Sequence, residues 1–94
     1  MDHKTTIFGT PEEIALLAAF DTACDFLTQE AANAHTIAHA LKTACQASRE
    51  RPGDRALFDR AIELHADLER AHAAYMDALE AVEKAKANVI GFYS

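Results

Sequence analysis

Three side chains in this chain are of types that bind metals or move protons and are spaced so that helices could bring them together. Glu69-Arg70-Ala71-His72 is a Glu-x-x-His motif, which on a helix puts a carboxylate and an imidazole on one face. Glu30 falls among Leu27, Ala34 and Ile37, in the middle of an apolar wedge. An unpaired carboxylate there would cost several kcal/mol, so Glu30 calls for a partner. His35 and His39 are one turn apart, a ligand spacing, yet they share their face with Lys42 and Gln46 and read as solvated. Cys24 and Cys45 would lie about 30 Å apart on one helix, too far to pair within a chain, and read as buried reduced thiols. No nucleophile-base-acid set, phosphate-cradling glycine loop or paired-cysteine zinc motif is present, and no enzymatic activity or cofactor is expected.

The elements that must position these groups are legible in the apolar spacing. From Leu17 the positions Phe20, Cys24, Leu27, Ala31, Ala34, Ala38, Leu41 and Cys45 follow in steps of three and four. After Pro52-Gly53 a second ladder does the same through Leu57, Ala61, Leu64, Leu68, Ala71, Tyr75, Ala78, Val82, Ala85 and Val89. About 3.6 residues per turn return such positions to one face, so the spacing predicts two long helices. Thr10-Pro11-Glu12-Glu13 supplies a cap, a proline at the first helical position and a capping-box glutamate. Arg51-Pro52-Gly53-Asp54 supplies a helix stop, a permissive glycine and a second cap. Gly91 followed by Phe92 reads as a left-handed helix end.

The fold class expected is all-α: one domain over 1–94, an antiparallel hairpin of helices about 11–49 and 54–90, with a flexible arm at 1–9 and a tail at 91–94. The alternative is a three-helix bundle with a break near 21–28, where Thr22, Asp25 and Thr28 are poor helix formers. The unbroken phase of the ladder favours continuity. Centring the turn at Arg51-Pro52 pairs positions whose numbers sum to about 103, which sets Ala34 opposite Leu68, Leu41 opposite Ala61 and Glu30 level with His72.

A second apolar flank widens each stripe: Leu16, Ala23, Phe26, Ile37 and Ala44 on the first helix, and Phe58, Ile62, Met76 and Leu79 on the second. A lone hairpin would leave that strip wet, so the chain is expected to dimerise into a four-helix bundle through Phe26, Ile37, Phe58, Ile62, Met76 and Leu79. In such a dimer Glu30 and Glu69-x-x-His72, each present twice, resemble the ligand set of ferritin-like di-iron bundles. That resemblance implies a di-metal site as an alternative to a buried polar layer that fixes register.

Composition bounds the rest. The 94 residues are 50% hydrophobic and 26% charged with a formal net charge of −6, which places the chain among globular proteins and disfavours direct nucleic-acid binding. Arginines 49, 51, 55 and 60 gather at the turn among Glu50, Asp54 and Asp59, a solvated tip in which Arg51 and Arg55 could also serve as contacts. The start has no basic-then-apolar leader, and no stretch reaches the ~20 apolar residues that span a bilayer, so a cytoplasmic location is expected. The reading as a whole is a non-enzymatic interaction module that presents a helix face to a larger protein, as an adaptor, a chaperone-like subunit or an inhibitor, phage-type inhibitors included.

Overall fold

Capping chemistry sets where each helix begins. In the computed structural model, which describes residues 9–94, α1 runs Pro11–Glu50 and α2 runs Arg55–Tyr93. Thr10 Oγ1 accepts from the Glu13 N–H at 3.2 Å, and Asp54 Oδ1 accepts from the Leu57 N–H at 3.4 Å. Between the helices the Asp54 N–H donates to the Arg51 carbonyl at 3.1 Å, closing a turn in which Gly53 has φ +94°. That left-handed backbone is the reason for glycine there. Residues 1–8 of the expected N-terminal arm lie outside the described residues.

α1 is continuous through 21–28, so the hairpin holds and the three-helix alternative does not. Thr28 donates its hydroxyl to the Cys24 carbonyl at 3.0 Å, as do Thr36 to Ala32 and Thr43 to His39. Bonding back four residues satisfies these hydroxyls inside the helix, so they do not open it. α2 also outruns its expected end. Gly91 lies within it, without positive φ, and the expected tail at 91–94 is helical as far as Tyr93. A glycine inside a helix costs about 1 kcal/mol, which the half-buried Phe92 and the hydrogen bond made by Tyr93 offset.

The buried apolar residues Ala61, Leu64, Ala71, Ala78 and Val82 all stand on the expected second ladder. On α1 the phase differs. Glu13 is buried and half-burial recurs at Leu16, Phe20, Ala23, Leu27, Glu30, Ala34, Ile37, Leu41, Ala44 and Ser48, in steps of three and four, with Cys24, Ala40 and Ala47 half-buried beside that row. Phe20, Leu27, Ala34 and Leu41 therefore belong to the seam as expected and Cys24 is half-buried beside them, but Leu17, Ala31, Ala38 and Cys45 are exposed. Their neighbours Leu16, Ala23, Ile37 and Ala44, read from the sequence as an outer flank, fill the seam instead. Two interlaced ladders share the 20-27-34-41 column, and α2 selects the one that carries Ile37 where the other has Ala38, the larger apolar side chain removing more area from water. Cys45 is correspondingly an exposed thiol, not a buried one.

Register is read from both ends of the hairpin. Glu50 and Arg55 flank the turn and Glu13 meets Tyr93 at the open end, so positions summing to about 105 lie at one height. That is within two residues of the sequence expectation.

Candidate interaction surface

The surface is best derived from what the seam leaves over. On α2, the position after each seam residue and the one four beyond it form a second continuous ladder: Phe58, Ile62, His65, Glu69, His72, Met76, Leu79, Glu83, Lys86, Ile90 and Tyr93. Large apolar side chains on it stand in water, Phe58 49%, Ile62 54%, Met76 47% and Ile90 57% exposed. α1 borders the same side with its exposed column. Leu41, Cys45, Ser48 and Arg49 line one open groove with Phe58, Ala61, Ile62 and His65, and further along Ala34 lines another with His65, Leu68, Glu69 and His72. The opposite side is different in kind: Asn33, Ile37, Asp67, Arg70, Ala71 and Ala74 line its groove, and Asp67 and Arg70 pair across one turn.

The residues expected to form one dimer flank are thus divided. Phe58, Ile62, Met76 and Leu79 share the α2 ladder, Ile37 belongs to the intrachain seam, and Phe26, 49% exposed, stands on the other side of α1. The signal that could have divided them was α1's second ladder, which the sequence contains in full.

The metal candidates are divided as well. Glu69 and His72 line the same groove, and His65 Nδ1 lies 3.5 Å from Glu69 Oε1. Glu30 is not among that groove's lining residues; it sits half-buried at a seam position, level with Tyr75. It makes no hydrogen bond or ion pair among the described residues, and partial contact with water relieves the cost that a fully buried carboxylate would carry. His35 and His39 are both exposed. No three His, Cys, Asp or Glu side chains among the described residues gather around a point where one chain could hold a metal ion.

At the tip, Arg55 Nε donates to Asp59 Oδ1 at 2.8 Å and its guanidinium lies 5.9 Å from the centre of the Phe58 ring. The carboxylate beside it holds the Arg55 guanidinium's pKa above its usual value, first by hydrogen bonding and then by charge. Such exposed contacts add little stability, but they keep the Arg55 charge fixed beside an apolar ring.

One polar group that sequence reasoning placed only as a cap turns out to join the helices. Glu13 is 8% exposed, the one buried charged residue among those described. Its Oε1 accepts from the Gly9 N–H, and its Oε2 accepts from the Tyr93 hydroxyl at 2.5 Å. The Tyr93 hydroxyl, then the Gly9 N–H, hold the Glu13 carboxyl below the usual carboxylate range against the upward pull of burial. Donating to Glu13 in turn holds the Tyr93 phenol above its usual value.

The lowered Glu13 pKa contributes stability that is present above the ordinary carboxylate value and lost as pH falls through the folded one. The raised Tyr93 pKa contributes stability present below the ordinary phenol value and lost as pH rises through the folded one. This clasp therefore holds at neutral pH and opens at both extremes. Tyr93→Phe is expected to speed amide exchange at residues 14–17 and 88–92 at neutral pH, and to differ little from the parent in strong acid. Equal exchange at neutral pH would refute the clasp.

The fold and surface define the protein's class: an antiparallel two-helix hairpin with one covered seam and one uncovered ladder of mixed apolar and charged residues. No protein-family model, curated protein or solved structure matches the chain. No helix among the described residues is long and apolar enough to cross a membrane.

Proposed function

We propose that this chain is a non-enzymatic protein–protein interaction module that works in the cytoplasm by presenting helix faces to a larger protein partner. The observation that supports this reading is the set of large apolar side chains left in water on both sides of the seam, Phe26 on one and Phe58, Ile62, Met76 and Ile90 on the other. Where such side chains gather beside charged groups, as Phe58 and Ile62 do next to Arg55, they mark contact sites. A rod of two helices also has little interior of its own: three of its five buried apolar residues are alanines. Its surface is where its apolar area can still be used.

Phe26 on the far side and Arg51 and Arg55 at the tip are the groups through which the larger partner is engaged, as adaptor, chaperone-like subunit or inhibitor. The test is affinity capture from the native host with the parent chain, Phe26→Asp and the double variant Arg51→Glu, Arg55→Glu. All three should have the same far-ultraviolet circular dichroism, since these side chains lie outside the seam. The expected result is a partner retained by the parent and lost from at least one variant. A parent that retains nothing, or variants that retain everything, would count against the reading.

A further inference from the structure

The uncovered side of the hairpin carries, on each helix, matched residue pairs that reverse about one point, and the two points lie at the same height. On the α1 column outside the seam, half-buried at Cys24 and exposed after it, the order is Cys24, Ala31, Ala38, Cys45, which reads the same in both directions about a point between Ala34 and His35. Beside that column Asp21 and Arg49, of opposite charge, lie within one residue of equal distance from the same point. On the α2 ladder Ile62 and Leu79 flank Glu69 and His72, and both pairs centre between Arg70 and Ala71. These two centres sum to about 105, the register of the hairpin, so they lie side by side across the rod.

We infer that this side binds a second copy of the chain, head to tail, about a twofold axis through those two centres. The inference takes from the proposed function only that the uncovered side is a contact surface. An axis lying in the contact plane across the rod stacks α1 on α1 and α2 on α2, each pair antiparallel. Along α2, Ile62 of one copy then meets Leu79 of the other and Glu69 meets His72, two apolar contacts around a hydrogen-bonding centre, with His65 against Met76 between them and Phe58 against Glu83 beyond. Along α1, Ala31 meets Ala38, and these small side chains let the axes approach to the short end of the 8–10 Å range. Asp21 meets Arg49 in two ion pairs. Cys24 of each copy comes to face Cys45 of the other.

The area is sufficient. Helices of 40 and 39 residues are about 60 Å long, and two helix diameters are roughly 20 Å, so the side offers on the order of 1,000 Å² against the ~800 Å² per partner of a standard stable interface. Opposite charges meet at Asp21–Arg49, which offsets part of the mutual repulsion of two chains of net charge −6.

Diamide, which removes two electrons and two protons from a facing pair of thiols and is itself reduced to the hydrazine, tests the geometry. Cys24 and Cys45 are about 30 Å apart along one helix, so a disulfide between them can form only between copies. Light scattering at micromolar concentration should give twice the chain mass. Brief oxidation should then give a covalent dimer whose predominant linked peptides join Cys24 to Cys45. Cys24→Ser and Cys45→Ser should each abolish that link, and Ile62→Asp should lower it at least tenfold while keeping helical content. A monomeric parent, or linkage chiefly of Cys45 to Cys45, would overturn the inference. Either outcome leaves the larger-partner reading standing, because capture through Phe26 and the tip does not depend on this side.

Discussion

Ala78→Asp is expected to unfold the hairpin. Ala78 is 1% exposed, the most enclosed position among the described residues, in the half of the seam farthest from the turn. An aspartate there has no cation in the seam to pair with and must either lose its charge or pull the helices apart, a cost on the order of 3–5 kcal/mol. With only five fully buried apolar residues in the seam, three of them alanines, the hairpin has little stability to set against that cost. Circular dichroism at 25 °C should show most of the helical signal gone. Ala81→Asp, three residues on and exposed, is the control and should stay within about 0.5 kcal/mol of the parent. A folded Ala78→Asp protein would mean that the seam does not run where burial places it.

The second large effect concerns the phase of α1. Ile37 and Ala38 are adjacent, yet one fills the seam and lines a groove with Ala71 and Ala74 while the other is exposed. Ile37→Asp removes a branched apolar side chain from a half-buried site and puts a charge in its place, and should cost about 2 kcal/mol or more. In urea denaturation followed at low protein concentration, the midpoint should fall for Ile37→Asp and barely move for Ala38→Asp. In the dimer the order reverses, because Ala38 lies near the proposed axis and Ile37 does not. Ala38→Asp should therefore raise the dimer dissociation constant at least tenfold. Had α1 used the ladder through Ala31 and Ala38 as its seam, Ala38→Asp would be the variant that lowers the urea midpoint.

These two experiments separate what the residues specify locally from what packing chooses. The sequence by itself determined that there are two helices, where they start and that they fold back at Pro52-Gly53, because caps, proline and the left-handed Gly53 act over a few residues. It also determined the seam of α2, where one ladder, running from Leu57 to Val89, carries all five buried apolar residues. Continuity through Thr22, Asp25 and Thr28 was legible in the unbroken phase, and the Thr28 hydroxyl is satisfied inside the helix. Only the tertiary structure decided which of α1's two ladders is buried, because Phe20, Leu27, Ala34 and Leu41 belong to both and the choice turns on area gained against α2. It alone carried α2 through Gly91 to Tyr93, for the reward is the hydroxyl's bond to Glu13, 80 residues away in the chain. The same rotation of α1 took Cys45 out of the seam and Ile37 into it, because a helix that turns toward one neighbour turns its other ladder outward.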